Sequence, residues 1–496
     1  SRTGVLTYHI QTSIDDAQSG DTLHAWAGNY YENIEVDKVL TIQGNGSATV
    51  VDGTFTEDTI EITVGGVVIK NLVVVSGSND ENEAGISVIE SNNVIISNIK
   101  FINNTISVYV DDSEDLVVNQ STFDVLDYGV YAKGSSTRLV VEDNAFRNGT
   151  SGNACIYQLS SDGNGNALIS DNSFDDCHTA WKSGSSNNDF RNNTLSDNFN
   201  GIQLNGEEAK NNLIISNTIS DSDNYGLYIY ASAEDNNIFN TIIQDSSSFD
   251  IKLSDSDDTV LVNTTFSDLS VGSDANMWVK VYLDFGVYDN SSNSFEGADV
   301  KVMEDALTLY STDGFGGSDP KTDGNGSIGT FLVATKHYDG SSTPEDVTTN
   351  ITVKYVDWIS IETYDVTDSI SVSIDDFRVK NQNTGVMYYS ISGAISAVTS
   401  YDATIHVWAG TYREKITINK QITLIGNSTT NTILNGSDVL GNFVTISSEN
   451  VILKNLSFVS AENAIVINSN NCEVQNLYVA SNNGSGIKTG ASFIKI

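Results

Sequence analysis

The sequence predicts an all-β protein: a right-handed parallel β-helix, an intervening β-sandwich domain and the start of a second parallel β-helix. Three observations support this fold: a composition that favours strands and turns, a short repeat the length of one β-helix coil, and a long repeat of the whole arrangement. We expect the first β-helix over 1–270, with an N-terminal cap and about ten coils. We expect the sandwich over 271–378 and the second β-helix over 379–496.

The composition favours strands joined by tight turns. The 496 residues include 39 Gly, only 2 Pro, and many Asn, Ser, Thr, Val and Ile. Three cysteines, Cys155, Cys177 and Cys472, allow at most one internal disulfide. Cys155 and Cys177 fall on adjacent predicted coils but two residues out of register, so the pattern leaves their pairing open.

Acidic residues dominate the charge. Lys and Arg total 24 against 65 Asp and Glu, which gives a net charge of -41. Such a chain repels nucleic acids and anionic membrane surfaces and attracts cations. No apolar run approaches the roughly 18 residues that a membrane span needs. We therefore expect an extracellular or cell-surface protein without nucleic-acid partners.

The short repeat places a large apolar residue shortly after an asparagine, as in DNAF at 143–146 and NNTL at 192–195. Successive apolar anchors lie 21 to 28 residues apart, which matches one coil of a parallel β-helix. Asparagine suits the bends because it tolerates the left-handed conformation and can bond to the equivalent side chain of the next coil. The anchors are Phe101, Phe123, Phe146, Phe174, Leu195, Ile219, Ile243 and Phe266.

The long repeat relates two distant segments. The stretch HAWAGNYYENIEVDKVLTIQGN at 24–45 recurs at 406–427 as HVWAGTYREKITINKQITLIGN. GVVIKNL at 66–72 then matches NVILKNL at 450–456, so the second copy continues in step. Because this copy breaks off at Ile496, we expect the chain to be part of a longer tandem array. A single duplicated domain is the alternative.

The segment between the copies lacks the asparagine repeat. It has longer alternating stretches, VKVYLDFGVY, ADVKVM, TTNITVKYV and DSISVSI, which predict the strands of a β-sandwich, with a long turn at 313–327. GADVKV followed by TDGNGS resembles the immunoglobulin-like or carboxypeptidase-regulatory-like modules of surface proteins.

The opening segment combines a short helical stretch SIDDAQ, a Gly-Asp pair, the turn GNYYEN and the strand KVLTIQG. In this pattern it resembles the NosD-like, PbH1-repeat group of the pectin-lyase-like β-helix superfamily. The resemblance extends over roughly 1–270 and 382–496 and implies the fold. The superfamily contains lyases, hydrolases, epimerases, adhesins and surface-layer proteins, so the resemblance does not imply one activity. The matching residues are Ile14, Ala17, Gly20, Asp21, Gly28, Tyr30, Glu32, Lys38 and Gly44, and in the second copy Ile395, Gly410, Tyr412, Glu414, Lys420 and Gly426.

The sequence contains candidate catalytic residues but no complete catalytic motif. A site resembling that of the polygalacturonases needs Gly-His-Gly and Arg-x-Lys motifs, and neither is present. A lyase-like site needs clustered acids beside a base, and the candidates for it are Asp175, Asp176, His178, Lys182, Arg147 and Arg191. The alternative is turn carboxylates with scattered surface bases, and we lean towards a protein without enzymatic activity. His9, His24, His178, His337 and His406 show no metal-ligand spacing, so copper finds little support despite the resemblance.

Calcium is the predicted cofactor, with no other expected. Acids two residues after successive anchors form a column with a spacing of about 4.8 Å. At that distance two unit charges repel by about 0.9 kcal/mol even in water, which cation binding would relieve. The alternative is that each Asp caps a turn. The candidates are the column Asp176, Asp197, Asp221, Asp245 and Asp268, the loop residues Asp162, Asn164 and Asn166, and the sandwich-loop residues Asp319, Asp323 and Asn325.

An aromatic row is the candidate carbohydrate contact. Tyr131, Tyr157, Trp181 and Tyr228 are predicted to occupy one outward strand position in successive coils, with Gln203 and Lys252 at the same position. Rings ranked on a sheet can stack on sugars, cover the sheet, or contact another subunit.

N-glycosylation is permitted at thirteen N-x-S/T sequons, although an asparagine-rich chain has nearly as many by chance. They are Asn45, Asn103, Asn119, Asn148, Asn192, Asn263, Asn290, Asn325, Asn350, Asn427, Asn435, Asn455 and Asn483.

Together these features favour an extracellular structural repeat protein, such as a surface-layer, stalk or filament component. Its expected partners are like subunits or other surface proteins. The alternatives are a polysaccharide-binding or polysaccharide-cleaving protein, which would act as a lyase or hydrolase, and a cation-dependent adhesin.

Overall fold

Parallel strands stack coil upon coil through much of the chain in the computed structural model. The molecule divides into two compact parts, one running to Val281 and including Ala334–Asp346, the other holding Tyr282–Val333 and the residues from Val347 onward. The structure describes residues 6–54, 57–77, 84–149, 153–159, 165–288, 294, 296–355, 358–364, 370–375, 378–388, 390–437 and 439–495.

The first part is a parallel β-helix in which each coil adds one strand to each of three sheets. Residues of successive coils pair in register, as Val118 pairs with Val141 and Val141 with Ile169. The prediction of a parallel β-helix is therefore confirmed. Sheet 1 contains Thr22–His24, Thr41–Gln43, Val68–Val75, Ile95–Asp111, Val117–Asn119, Val140–Glu142, Leu168–Ser170, Asp189–Arg191, Leu213–Ile215, Asn237–Phe239, Phe249–Val262 and Ala275–Tyr288.

Sheets 2 and 3 complete each coil, and the longest strands pass a corner and take part in two sheets. Sheet 2 contains Gly28–Tyr31, Thr49–Asp52, Thr122–Lys133, Ala145–Arg147, Ser173–Asp175, Thr194–Ser196, Thr218–Ser220 and Ile242–Gln244, with parts of Val68–Val75 and Ile95–Asp111. Sheet 3 contains Ile34–Val36, Ile60–Ile62, Ala84–Ile89, Ala154–Gln158, Thr179–Ser183, Asn200–Asn205, Tyr225–Glu234 and Leu269–Val271, with parts of Ile95–Asp111, Thr122–Lys133 and Phe249–Val262.

The predicted anchors form one column inside sheet 2. Phe101, Phe123, Phe146 and Phe174 are buried, and their rings stack with centroids 4.3 to 4.9 Å apart. Leu195, Ile219 and Ile243 continue the column in register. Each ring packs on the ring of the next coil. The hydrophobic core therefore forms between stacked coils, because a single coil cannot bury its side chains alone.

Asparagines build the corner between sheets 1 and 2. The first corner residue, such as Asp171 or Asn192, has a left-handed φ of 57° or 55°. The next residue is a buried asparagine whose side chain donates to the equivalent side chain one coil on, over 3.1 to 3.2 Å. This column is Asn144, Asn172, Asn193 and Asn217. The predicted bonding up the stack is confirmed.

Cys155 and Cys177 are joined by a disulfide, with Cα atoms 6.0 Å apart. Cys155 lies in a strand of sheet 3, and Cys177 lies in the turn that leads to the next strand of that sheet, so the bond ties neighbouring coils together. Cys472 is buried and not bridged.

A short helix, Ile10–Asp16, closes the start of the first β-helix. Ile10 and Ile14 are buried against the first coils. Both carboxylate oxygens of Glu32 accept backbone N–H bonds at the start of this helix, at 2.8 and 3.1 Å. The Lys38 ammonium donates to the carbonyl oxygens of Ile14 and Asp15 at its end, each at 2.9 Å. A 3₁₀ turn, Gly46–Ala48, follows after four strands.

The second part begins with antiparallel strands. Val302 pairs with Ile351, and Thr352 pairs with Ile361. The four predicted stretches are all strands, but Leu283–Tyr288 pairs in parallel with Ile370–Asp375. The strands of this part are Asp299–Glu304, Leu307–Ser311, Thr349–Tyr355, Trp358–Tyr364, Ile370–Asp375, Val379–Asn381 and Met387–Tyr388, with a 3₁₀ turn at Asp313–Phe315. The strand Ser327–Asp339 begins in this part and ends in the first, which also includes Glu345–Asp346.

A second parallel β-helix follows, closed by the helix Ile391–Ser396. Its own buried core includes Phe443 and Phe458. Its strands are Ala403–Val407, Gly410–Tyr412, Ile416–Ile418, Ile422–Gly426, Thr432–Asn435, Asn442–Ile446, Ile452–Val459, Asn463–Ile467, Glu473–Ala480 and Ile487–Thr489.

Candidate functional site

One outward position of sheet 3 carries tyrosines and lysines in register over many coils. The ladder pairs Tyr131 with Tyr157, Tyr157 with Lys182, and Gln203 with Tyr228. We call this surface, with the neighbouring tyrosines, the tyrosine face. It comprises Tyr109, Tyr128, Tyr131, Tyr157, Lys182, Gln203, Tyr225, Tyr228, Tyr230 and Lys252.

The prediction that Trp181 belongs to this row is wrong. Trp181 pairs with Ile156 and Ile202 in the inward column and is fully buried. Its indole N–H donates to the side-chain oxygen of Gln158 at 2.9 Å. The prediction aligned Trp181 with Tyr157 because both are aromatic, and this alignment is wrong by one residue. An error of one residue places a side chain on the opposite face of a strand. Lys182 is the outward residue.

One group of tyrosines lies on the N-terminal side of Lys182. The rings of Tyr128, Tyr131 and Tyr157 stack on one another with centroids 4.8 to 5.9 Å apart. The buried Tyr109 meets Tyr131 edge-on at 5.8 Å. Burial raises the pKa of Tyr157, and the neighbouring Tyr131 adds to this, so its hydroxyl stays protonated and available to donate.

A second group lies beyond Gln203. Tyr228 stacks on Tyr230 at 4.2 Å and meets Tyr225 at 5.1 Å. The Lys252 ammonium lies 4.7 Å from the centre of the Tyr225 ring and donates to its hydroxyl at 2.9 Å. This hydrogen bond raises the pKa of Lys252, which keeps the charge on the surface. The face thus consists of two aromatic groups separated by the strands that carry Lys182 and Gln203.

Lys182 is half-buried beside the Tyr157 ring, with its ammonium 5.0 Å from the ring centre. Within the described residues no carboxylate lies within ion-pair distance of it. Burial lowers the pKa of Lys182. Burial also lowers the pKa of His178, the Lys182 charge adds to that effect, and the His178 ring stacks on Phe199 at 4.7 Å.

The predicted catalytic residues do not converge. Asp175 is exposed in sheet 2, where it pairs in register with Arg147, and Asp176 lies in the following turn. Arg191 lies in sheet 1 and forms an ion pair with Asp189 on the same strand. Asp175 and Arg147 share the outer surface of sheet 2, whereas His178 and Lys182 lie together at sheet 3. The six candidates are therefore distributed over three sheets, and their catalytic role stays a prediction.

A shallow groove of about 480 Å³ follows the corner between sheets 1 and 2. None of the predicted catalytic residues lines it. Its polar walls come from the asparagine corner and the residues around it: Gln120, Ser121, Thr122, Asp143, Asn144, Ala145, Asp171, Asn172, Ser173, Asn192 and Thr194.

The acid column lies at the corner between sheets 2 and 3. Asp176, Asp197, Asp221 and Asp245 are exposed and share a left-handed φ of 53° to 58°. Asp268 is exposed but lacks that conformation, and its N–H points to the buried carboxylate of Asp250 at 3.4 Å. Each of the four acids therefore occupies a bend that few residue types tolerate. Calcium at this column stays a prediction.

The other calcium candidates divide between described and undescribed residues. Asp162 and Asn164 lie outside the described residues, and Asn166 has a left-handed φ of 55°. In the sandwich loop, Asp319 accepts the N–H of Ser311 at 2.6 Å. Asp323 accepts the N–H groups of Asn325 and Ser327, each at 2.9 Å. In this loop Asp323 therefore caps a turn, and Asp319 binds the end of the strand Leu307–Ser311.

Sequence reasoning missed an ionic network in that module. Asp299 accepts hydrogen bonds from the Thr312 hydroxyl at 2.8 Å, the Gly314 N–H at 3.0 Å and the Lys321 ammonium at 3.1 Å. Burial favours the protonated form of Asp299, but these hydrogen bonds outweigh it and hold its pKa below the ordinary value. No motif in the sequence marks the network, because Asp299 lies at the start of a strand and Lys321 follows it by 22 residues.

The predicted glycosylation sites differ in exposure, and their modification stays a prediction. Asn290 lies outside the described residues. Half-buried sequons are Asn119, Asn350, Asn435 and Asn455. Exposed sequons are Asn45, Asn103, Asn148, Asn192, Asn263, Asn325, Asn427 and Asn483.

The chain resembles a curated surface protein over a short stretch. It is 36% identical over 91 residues to a cell surface glycoprotein of Methanothermus fervidus, covering 17% of this chain and 15% of that relative. The chain therefore matches only a small part of that relative's length. Within the described residues, no helix is long and apolar enough to cross a membrane.

Solved β-structures align over about half of the chain. An exopolygalacturonase from Thermotoga maritima is 12% identical, with 54% of this chain and 85% of that chain covered and a TM-score of 0.42. The surface adhesin PfbA of Streptococcus pneumoniae is 15% identical, with 55% and 84% covered and a TM-score of 0.39. At such scores neither likeness bears on function.

The family model that matches is described as periplasmic copper-binding protein (NosD) and aligns with residues 31–240 and 154–282. Copper sites use Cys, Met and His donors. Among the described residues, no three His, Cys, Asp or Glu side chains could together hold a metal ion. Cys155 and Cys177 are bonded to each other and Cys472 is buried, so the described residues do not fit a copper centre.

The two overlapping matches run from residue 31 to residue 282, just over half of the chain. They cover the coils that carry the asparagine corner and the tyrosine face. With the surface-glycoprotein relative, they indicate an extracellular or cell-surface location. The chain belongs to the NosD family of β-helix proteins.

Proposed function

We propose that this chain is a structural component of the cell surface, built from tandem units of β-helix and β-sandwich. The observation that carries this proposal is that the same β-helix cap is built twice. A cap closes the open end of a β-helix core, so each copy begins a new stack of coils. Repetition of a stacking unit extends a protein, whereas catalysis needs only one site.

The two caps agree in their hydrogen bonds. Glu414 accepts the N–H groups of Ile391 and Ser392 at 2.7 and 2.9 Å, as Glu32 does in the first cap. The Lys420 ammonium donates to the carbonyls of Ser396 and Val398 at 2.5 and 2.6 Å, as Lys38 does at the end of the first cap helix.

The tyrosine and glycine of the caps are matched as well. The hydroxyls of Tyr30 and Tyr412 donate to the carbonyls of Trp26 and Trp408, at 3.0 and 2.9 Å. A Cβ on Gly44 or on Gly426 would clash with a backbone oxygen of the next coil, so neither position accepts a larger residue. The two caps are therefore alike in their three-dimensional interactions as well as in their amino-acid sequence.

The scattered positions of the candidate catalytic residues also support a structural role. Asp175 and Arg147 lie on sheet 2, whereas Lys182 lies on sheet 3 and Arg191 on sheet 1. Polysaccharide cleavage needs an acid and a second carboxylate, or a base, on the two sides of one glycosidic bond.

The proposal is tested by changing the number of units. We would compare the chain with a variant that carries a second copy of 1–381 before it, and measure particle length by negative-stain electron microscopy and maximum dimension by X-ray scattering. Addition of one unit should lengthen the particle by a constant increment. A particle that becomes rounder without lengthening would contradict the structural role.

Surface location and activity are checked in parallel. Antibodies against the chain should label the outside of intact cells of the source organism. Incubation of the chain with pectic, alginate and neutral polysaccharides should release no new reducing or unsaturated ends. Turnover that disappears on Asp175→Asn substitution would instead favour the lyase or hydrolase alternative.

A further inference from the structure

We propose that the tyrosine face binds an acidic polysaccharide, a chain of uronate sugars, with Lys182 and Lys252 pairing with its carboxylates and the flanking tyrosines packing against its sugar rings. This role goes beyond the structural function proposed above and does not depend on it.

The part of the tyrosine face from Tyr157 to Lys252 differs in charge from the chain as a whole. The five consecutive strand segments of sheet 3 from Ala154–Gln158 to residues 249–254 contain one acid, Asp250. Asp250 is buried and accepts the N–H groups of Ser246 and Ser267 at 3.1 and 2.8 Å. On a protein with a net charge of -41, an outward surface that carries lysines and no outward carboxylate is suited to an anionic ligand.

Among the residues that the structure describes, no carboxylate pairs with the half-buried charge of Lys182. Removing an ammonium from water is unfavourable unless an anion or hydrogen-bond acceptors compensate. Within the described residues its ammonium has the Tyr157 ring at 5.0 Å but no carboxylate. Elsewhere on this β-helix, lysines such as Lys210 have a carboxylate at 2.8 Å. A ligand carboxylate would supply the missing partner.

The geometry around Lys182 suits a sugar chain. Lys182 and Gln203 occupy successive strands between Tyr157 on one side and Tyr228 on the other. From Lys182 to Lys252 there are three strand steps, or about 14 Å. This distance lets an extended polymer contact both lysines, and partly exposed rings at both ends offer apolar surface with hydroxyl groups.

The distribution of sequons is consistent with an accessible face. The chain has thirteen N-x-S/T sequons, yet none lies in the sheet 3 segments that carry the tyrosine face, 106–111, 128–133, 154–158, 179–183, 200–205, 225–230 and 249–254. Attached glycans would therefore leave these strands uncovered.

The test is calorimetric titration of the intact chain with a galacturonate hexamer and with a neutral glucose hexamer. Salt of about 0.15 M limits repulsion from distant acids to roughly 8 Å. Three variants are compared: Lys182→Gln and Lys252→Gln on the face, and Lys100→Gln as the control, because Lys100 is an exposed lysine of sheet 2. Thermal unfolding of each variant is measured in the same buffer.

We expect the uronate hexamer to bind and the neutral hexamer to bind at least about tenfold more weakly. Lys182→Gln should weaken uronate binding by about tenfold or more while its unfolding temperature is unchanged or higher, because the half-buried charge is gone. Lys100→Gln should leave binding unchanged. If Lys182→Gln fails to fold, Lys252→Gln takes its place.

Three results would overturn the proposal. The first is no heat of binding with the uronate hexamer up to millimolar concentration. The second is equal affinity for the neutral hexamer, which would make the face a general aromatic surface. The third is an equal loss of affinity in Lys100→Gln, which would attribute binding to overall charge.

Discussion

Asn172 shows how one residue type holds the β-helix corner. Its side-chain N–H₂ donates to the Val141 carbonyl at 2.8 Å and to Asn193 at 3.1 Å, and its oxygen accepts from the backbone and the side chain of Asn144. The side chain is buried, so water cannot replace these bonds. Buried polar groups left without partners are the main reason that such substitutions destabilise proteins.

We expect Asn172→Ala to lower the free energy of unfolding by about 2–4 kcal/mol, because several buried groups of neighbouring coils lose their partner. Urea unfolding followed by circular dichroism measures the change. Asn29→Ala, at an exposed strand position, is the control and should change stability by less than about 0.5 kcal/mol. Equal effects of the two substitutions would contradict the role of the buried column.

His178 should make stability depend on pH. Burial, with a contribution from Lys182, lowers the folded-state pKa below the ordinary value of 6.5, so folding favours the neutral ring. This contribution is fully present above about pH 6.5 and is lost as the pH falls through the lowered folded pKa. The free energy of unfolding should therefore fall less between about pH 7.5 and pH 5 in His178→Gln than in the parent chain. An equal fall in the free energy of unfolding of the two proteins would contradict the effect of burial on His178.

At the scale of elements, each cap is a helix held by one carboxylate. Glu32 accepts both N–H groups at the start of the first cap helix, and Glu414 does the same in the second. A helix of seven residues is too short to be stable alone, so its order depends on these bonds and on the buried Ile10 and Ile14.

Glu32→Ala should destabilise the first cap by about 1–3 kcal/mol, because two charge-assisted hydrogen bonds are lost. Amide hydrogen exchange at Gln11 and nearby residues should become faster, whereas exchange in the second cap should not change. Glu35→Ala, an exposed acid of the next strand, is the matched control. Unchanged exchange at Gln11 would contradict the capping role.

The acid column is the element for which the sequence predicts a cation effect. Four exposed aspartates repeat at about one strand spacing, so neighbouring charges repel. We expect calcium to raise the unfolding temperature relative to a chelator, by mass action on the folded state. Asp197→Asn should reduce that increase more than Asp37→Asn, an exposed acid outside the column. If calcium does not raise the unfolding temperature, the column is not a calcium site.

At the scale of the whole molecule, charge is a dominant property. A net charge of -41 gives long-range repulsion that a compact state feels more than an unfolded one. Raising sodium chloride from about 0.01 M to about 1 M shortens the Debye length from about 30 Å to about 3 Å. The unfolding temperature should therefore rise over this range in thermal scans. A fall would show that attractive ion pairs outweigh the repulsion.

The surface role and the tyrosine face are related at this scale. A net charge of -41 opposes non-specific association. Under the two proposals above, an uncharged-to-basic face on such a chain would offer an acidic polymer a place to bind. Each tandem copy that includes sheet 3 would add such a face, and linked sites bind a polymer more tightly than single ones.

Sequence alone was enough for the repeats and therefore for the fold. The anchors such as Phe146 and Phe174 and the corner asparagines recur once in each coil of 21 to 28 residues, and each recurrence corresponds to a contact between neighbouring coils. The cap residues Glu32 and Lys38 recur once in each β-helix. A stacked fold makes the same contact in every coil, so the physical constraint appears directly as a sequence period.

Only the tertiary structure decided which side chains share a surface. It put Trp181 inside and Lys182 outside, joined Cys155 to Cys177, and placed Asp175, Arg191 and Lys182 on three different sheets. The reason is that coil lengths vary through the turns. Since strand side chains alternate with a period of two, one extra turn residue reverses the assignment of every residue in the next strand.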